Sequence, residues 1–336
     1  MNILITGGVG FIGTNTAAYF GKSQKNKITI VDDFSRNCVE KNAAHLSKNF
    51  KNIKIVRSDV RNIGNFLSDL KKSDLIIHLA GQTAVTTSIK KPLLDFRSNL
   101  EGGFMLLEAV RKNNPSAVTI YSSTNKVYGD LSRHKLKKNK QIKRYENLIF
   151  PRGVTESEKL DFISPYGCSK GAVDLYFIDY YRIFSLNTVV FRQSCIYGPH
   201  QIGVEDQGWV AHFAKQFLFK KPITIFGDGY QVRDLLYVDD LIKGYEKAAK
   251  NIGKVKGQAF NLGGGIKNAY SLLNVIEVLE KKFGYPVKVG YSSTRVGDQK
   301  YFVSGNFKAK KDLGWAPVTD LEQGLDKLIA WQKINL

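Results

Sequence analysis

The sequence predicts an α/β protein with a doubly wound parallel sheet and a smaller, discontinuous C-terminal lobe. Three observations predict it. Short β-rich apolar runs alternate with longer helical patterns from residue 1 to about 192, a glycine-rich turn joins the first run to the first helix, and the alternation loosens after residue 195.

The alternation opens with NILIT then FIGTNTAAYF, ITIVDD then VEKNAAHLSK, and IKIVRSD then IGNFLSDLKK. It continues through DLIIHLA, a helix around LLDFRSNLEGGFMLLEAVRK, AVTIYSS, a helix in CSKGAVDLYFIDYYRIF, and NTVVFR. Beyond residue 195 come shorter strands (ITIFGD, VKVGYS), a helix over SLLNVIEVLEKKF and several glycine turns. DLLYVDDLIKGYEKAAK and QAFNLGG read as β-α-β again, so the chain is expected to cross back. The expected division is 1–195 with a return segment at about 234–264, against 196–233 with 265–336. Ligands of such sheets lie beyond the carboxyl ends of the strands.

Composition removes several classes of function. No stretch approaches the ~20 consecutive apolar residues of a membrane helix, and the first residues run into a strand without a charged-then-apolar leader, so no transmembrane segment and a cytoplasmic location are expected. Three cysteines (Cys38, Cys168, Cys195), with no Cys-x-x-Cys pair, suggest neither a disulfide framework nor a zinc site, and the five histidines include no pair at ligand spacing on one helix. No metal is expected. The net charge of +20 favours anionic partners in general without choosing among them, and its lysines are scattered, so no dedicated nucleic-acid partner is expected. The dense run Arg133–Arg144 (RHKLKKNKQIKR) is expected to be a solvated loop.

The glycine turn, TGGVGFIG at 6–13, spaces Gly7, Gly10 and Gly13 as Gly-x-x-Gly-x-x-Gly. Between a strand and a helix, such glycines allow close backbone approach, and the N–H groups at the helix start, around Phe11 and Ile12, suit a pyrophosphate, the mark of a Rossmann-type dinucleotide fold. Asp32 ends the second strand, 19 residues beyond Gly13, where a carboxylate accepts from an adenosine ribose and repels a 2′-phosphate. NAD is therefore expected rather than NADP, with Arg36 close by. Asp59 and Val60 end the third strand, where Asp59 reads equally as an adenine partner or a turn cap. Ala80, Gly81 and Gln82 end the fourth, small enough in part for a cofactor to lie against the backbone.

Tyr166 and Lys170 form a Tyr-x-x-x-Lys unit at a helix start, and of sixteen tyrosines only this one has lysine four residues on. One helical turn places both on one face. A phenol titrates near ~10, so a tyrosine base at neutral pH needs a neighbouring ammonium. Ser122, Ser123 and Thr124 put hydroxyls at the end of the fifth strand, facing the same crevice, with Thr124 the candidate to bond a reacting hydroxyl.

Together, TGGVGFIG, Asp32, SSTNKVYG, YGCSK, RQSCIYGP, QVRDLLYVDD, FNLGG, RVGDQ and DLGW resemble the extended short-chain dehydrogenase/reductase family over essentially the whole chain. GQTAVTTSI, SPYGCSKGA and DQGWV narrow the likeness to its NAD-dependent nucleotide-sugar epimerases, those inverting C2 of a CDP-activated deoxysugar (CDP-paratose to CDP-tyvelose type). The resemblance implies catalytic roles for Thr124, Tyr166 and Lys170 and cofactor roles for Gly7, Gly10, Gly13, Asp32, Asp59, Asn99 and Ser122. It implies nucleotide-diphosphate and ribose contacts for Arg233, Arg295 and Asp298. Cys195 stands where many relatives carry Asn, a side chain that meets the diphosphate. A 4,6-dehydratase is disfavoured, since Asn125 and Lys126 occupy the positions where that chemistry places Asp and Glu; a UDP-sugar 4-epimerase is the alternative. A homodimer or homotetramer through helices around 95–112 and 168–184 is also implied.

Overall fold

The computed structural model describes residues 1–36 and 39–336, so Cys38 lies outside the described residues. Seven strands form one parallel sheet: β1 (Asn2–Thr6), β2 (Lys27–Asp32), β3 (Ile53–Arg57), β4 (Leu75–His78) and β5 (Val118–Thr124), then, beyond two hairpin strands, β8 (Thr188–Gln193) and, further on, β12 (Gln258–Leu262). Their order is β12-β8-β5-β4-β1-β2-β3, and every neighbouring pair is parallel. The chain runs outward from β1 to β3, then returns to the other side of β1. That reversal leaves a crevice between the carboxyl ends of β1 and β4, the switch point at which doubly wound sheets take ligands.

Helices cover both faces, which is why the central strands read as apolar runs rather than as an alternation. Every residue of β4 and β8 is buried. One core cluster lies on the face that carries Ile3, Ile5, Ile30 and Phe191, and extends into the C-terminal lobe through Trp315 and Leu325. A second lies on the opposite face beneath Leu106, Val173 and Phe177.

The hairpin strands are β6 (Leu136–Asn139) and β7 (Arg144–Asn147), paired antiparallel. The C-terminal part adds β9 (Cys195–Tyr197), β10 (Ile223–Phe226), β11 (Val232–Tyr237), β13 (Ala269–Ser271), β14 (Val289–Ser292) and β15 (Tyr301–Phe302). β10 pairs with β14, while β11 pairs with β9, β13 and β15. Of the two segments read as crossing back, QAFNL therefore joins the large sheet as β12, whereas β11, which contains DLLY, lies in the small sheet. The helix that follows β11, Val238–Lys250, packs against the first helix, Phe11–Gly21.

The basic run is mostly exposed, as expected of it, but it is a hairpin rather than a loop. From Leu136 onward it forms the β6–β7 hairpin, held by Lys138 Nζ to Asp228 at 2.8 Å, Lys138 over the Tyr230 ring at 4.0 Å, and Tyr145 Oη donating to Asp228 at 2.8 Å. Its partners lie about 90 residues away in sequence, so no local pattern announces the pairing.

Candidate active site

The glycine turn follows β1, and two of its glycines are fixed by contact. A Cβ on Gly13 would sit 2.4 Å from the Gly7 carbonyl oxygen, and one on Gly7, at φ +69°, would sit 2.7 Å from the Ala80 nitrogen. Loop and helix start are packed backbone to backbone, leaving Phe11 and Ile12 in the first helical turn after Gly10. Asp32 closes the loop from the side: its carboxylate accepts from the Val9 N–H at 3.1 Å and the Phe34 N–H at 2.9 Å, and burial pushes its pKa up against those two bonds.

Arg36 reaches across the crevice, donating to the Thr83 hydroxyl and, at 2.9 Å, to Gln207. Asp59 is engaged by Arg61 through Nη2 at 2.6 Å and through the Arg61 N–H at 2.8 Å, which holds the carboxyl below its ordinary range and corresponds to the turn-capping alternative. Val60 beside it is buried under Gly102. Gln82 donates to the Ala84 carbonyl at 2.7 Å and to Asp95 at 3.2 Å. Asn99 sits in a π-helical turn, Phe96–Glu101, and donates to Asp95 at 2.8 Å. Its Oδ1 is buried without a partner, and a Cβ on Gly81 would lie 2.3 Å from it.

β5 ends in Thr124, and the helix Ser164–Phe184 begins beside it, with Pro165 in its first turn presetting the backbone. Tyr166 and Lys170, one turn apart, both point under the end of β5. Thr124 and Tyr166 line the same cleft, the Thr124 hydroxyl donates to Asn125 Oδ1 at 3.3 Å, and Lys170 Nζ donates to the Ser122 carbonyl while lying 4.3 Å from the Tyr121 ring centroid. Ser122 Oγ donates to Gln193 at 3.1 Å. Residues 124, 166 and 170, separated in sequence, thus occupy one place.

Their resting ionisation is not the charged pair that the spacing suggests. Burial raises the Tyr166 phenol to about 12, with the Thr124 hydroxyl opposing, and burial lowers the Lys170 ammonium to about 7, with Asp174 and Asp95 opposing. Desolvation penalises either charge alone, so the pair has to be charged by what surrounds it.

Below this site lies a buried ionic group. Arg192 on β8 donates to both oxygens of Asp174 at 2.9 and 2.8 Å, Ser123 Oγ donates to Asp174 at 2.7 Å, and Arg192 Nη1 donates to Tyr128 Oη at 3.2 Å. Every charge in it is paired, and it anchors the strand that carries Thr124.

Beside the site opens a cleft of about 300 Å³ lined by Thr124, Tyr166, Cys195, Lys126, Phe226, Arg233, Arg295 and Asp298. Arg233 Nη2 meets Asp298 at 2.6 Å, Arg295 lies 3.7 Å over the Phe226 ring and bonds Asp206 at 3.0 Å, and Lys126 Nζ donates to the Gly297 carbonyl at 3.0 Å. The Cys195 thiol is pushed up to about 12 by burial, so it is no nucleophile at neutral pH. Cys168 is exposed and unpaired, and among the described residues no three His, Cys, Asp or Glu side chains converge on a metal site. The Asp95 carboxylate and the Lys126 ammonium are the site groups that spacing alone did not single out.

The chain that builds this cleft and the glycine-bounded crevice matches known proteins over its length. The model of the NAD dependent epimerase/dehydratase family matches residues 3–263. The chain belongs to that family. It is 43% identical over 338 residues to CDP-paratose 2-epimerase from Salmonella typhi, covering 98% of this chain and 99% of that one. It is 30% identical to UDP-glucuronate 4-epimerase from Thermodesulfobacterium geofontis, covering 99% and 96%. Among solved structures, UDP-glucuronic acid 4-epimerase from Bacillus cereus, in complex with UDP-glucuronic acid and NAD, superposes with a TM-score of 0.86 at 28% identity over the full length of both chains.

The family cofactor is NAD, and the residues present fit it. The loop around Gly7 and Gly13 has no room for side chains, Phe11 and Ile12 open the helix that follows it, Asp32 ends β2 with its carboxylate on the loop's Val9 N–H, and the partnerless Asn99 Oδ1 is a buried acceptor that needs a donor.

Proposed function

We propose that this protein inverts C2 of a CDP-activated deoxysugar, interconverting CDP-paratose and CDP-tyvelose through a transient keto-sugar. The identity of 43% to CDP-paratose 2-epimerase, against 30% to a UDP-sugar 4-epimerase, carries the choice of carbon and nucleotide. Residues 1–195, with the return segment at about 234–264, hold the cofactor; 196–233 and 265–336 hold the nucleotide sugar.

Arg233 and Arg295 take the diphosphate, since planar guanidinium forks match phosphate oxygens. Asp298, bonded to Arg233, faces the ribose, and Cys195 lines the wall beside the diphosphate. With the nucleotide so anchored, the sugar ring lies over Thr124 and Tyr166. The Thr124 hydroxyl bonds the sugar oxygen and the carbonyl that develops from it, and the Tyr166 phenolate takes the hydroxyl proton. Lys170 supports the phenolate, and the same phenol returns the proton after the ketone has presented its other face. When bound, NAD supplies a reversible hydride acceptor at the sugar carbon. Asn125 and Lys126 offer no carboxyl pair for the loss of water, which separates this site from a dehydratase.

We also place the protein in the cytoplasm as a homodimer or homotetramer. The helices at 95–112 and 168–184 carry exposed Phe96, Met105, Leu175, Tyr176 and Ile183 on their outer faces, as a paired-helix interface requires. No helix among the described residues is long and apolar enough to cross a membrane.

Parallel incubations of the purified protein with CDP-paratose, CDP-tyvelose and UDP-glucose, read by NMR, test the function. Interconversion of the two CDP-sugars is expected. Turnover of UDP-glucose alone would establish the 4-epimerase instead.

A further inference from the structure

Lys126 stands two residues beyond Thr124, in the 3₁₀ turn Asn125–Tyr128 that follows β5, and lines the cleft. Its backbone N–H donates to the Thr124 hydroxyl oxygen at 3.2 Å. Its Nζ donates to the Gly297 carbonyl at 3.0 Å and lies 3.6 Å from Asp298 Oδ1, an oxygen that Arg233 holds more closely, at 2.6 Å. An ammonium carries more N–H donors than these two contacts use. The side chain is only 18% exposed, so water makes up little of the difference, and burial lowers its pKa to about 8 against the pull of Asp298. The loop that Lys126 grips is fixed beside it as well: Asn125 Nδ2 donates to Gln299 at 2.9 Å, and Gln299 donates to the Gly129 carbonyl at 2.6 Å. Lys126 therefore joins the Thr124 hydroxyl, through its backbone, to the carboxylate that holds Arg233, through its side chain.

We propose that Lys126 binds the phosphate attached to the sugar, a specificity-determining contact that brings the C2 end of the ring to Thr124. The inference rests on the CDP-sugar reading given above. C2 is bonded to C1, the carbon that carries the phosphate, whereas C4 lies across the ring from it. A site that oxidises C2 must hold the phosphate and the reacting hydroxyl close together, and a cation rigidly attached to the turn after Thr124 does so. The free donor of the ammonium finds its acceptor in a phosphate oxygen, a charge-assisted bond stronger than one between neutral groups. Arg233, on the other side of Asp298, takes the same diphosphate, so the two cations bracket it.

The test uses the NAD-loaded protein and two probes that differ by a single phosphate, CDP and CMP, with fold and cofactor content checked first. In Lys126→Met, CDP binding read by titration calorimetry weakens by about tenfold or more, while CMP binding is kept. Lys126→Arg, which keeps the charge, restores most of the preference for CDP. The kcat/KM for inversion at C2 of CDP-paratose falls in Lys126→Met by at least the factor lost in CDP binding. Equal weakening of CDP and CMP, or weakening of neither, assigns Lys126 a merely structural grip on the 297–299 loop and overturns the proposal. Undiminished C2 inversion in a variant that has lost its preference for CDP overturns it too. A second arm needs no substitution and decides the matter if Lys126→Met does not fold. Acetylation of amines in the parent protein, read peptide by peptide by mass spectrometry, marks Lys126 less under saturating CDP than under saturating CMP. Equal marking under the two nucleotides overturns the proposal. A parent protein that shows the CDP preference and leaves CDP-paratose unchanged would instead defeat the choice of reaction, so the two failures are told apart.

Discussion

Replacing Arg192 by methionine isolates the ion pair beneath the strand that carries Thr124. Arg192 and Asp174 are 5% and 0% exposed, and their bidentate contact at 2.9 and 2.8 Å leaves no room for water to take over. Arg192→Met preserves most of the side-chain volume but strands a buried carboxylate, with only the Ser123 hydroxyl still bonding it. Breaking one side of such a pair costs about 3–5 kcal/mol, a large part of the ~5–15 kcal/mol that holds a typical domain folded. Removing both charges, as in Arg192→Met with Asp174→Leu, takes away the stranded charge, and the double variant is expected to regain most of the loss. Urea unfolding of the parent, the two single variants and the double variant gives the four free energies directly, provided the slope with denaturant stays constant. A loss below about 1 kcal/mol in Arg192→Met would refute the reasoning, since that is what a solvated pair gives.

Three further outcomes follow from the site. Tyr166→Phe retains the buried ring and loses only the hydroxyl, so fold and NAD content persist while turnover falls by about 10²–10⁴-fold; near-normal turnover would remove the tyrosine from the chemistry. Gly13→Ala forces a methyl to 2.4 Å from the Gly7 carbonyl oxygen, so the loop must move, and the purified variant is expected to release little or no NAD on heat denaturation. His78 is buried, bonded through Nδ1 to Thr6 at 2.7 Å, and driven down to about 3 by burial and by the Lys170 charge. The native state therefore refuses a proton that the unfolded chain accepts below about 6.5. Stability drops as the pH falls from 6.5 toward 3, by at most about 1.4 kcal/mol per unit from this group. A stability profile for His78→Asn as steep as the parent's would contradict that.

The parallel sheet was legible because its strands are buried on both faces and flanked by helices, so NILIT, ITIVDD and NTVVFR stand out as apolar runs. Tyr166 and Lys170 were legible because their spacing is itself the geometry, one helical turn. The glycine turn gave itself away by the strand before it and the helix after it. What escaped the sequence depends on partners distant in the chain. The β6–β7 hairpin is held by Asp228 and Tyr230, so its strand pairing is invisible in the sequence until the fold brings those residues up. β11 belongs to the small sheet because β9, β13 and β15 line up beside it, not because of its own residues. The ionisation of Tyr166 and Lys170 likewise follows from desolvation, which no spacing reports.

The central claim, that one carbon of the bound sugar is oxidised and re-reduced on the opposite face without exchange with solvent, is tested most directly by running the CDP-paratose reaction in D₂O and reading C2 by NMR. The account predicts formation of CDP-tyvelose with protium retained at C2. Deuterium at the inverted carbon, or no inversion at C2 by protein that carries NAD, would contradict it.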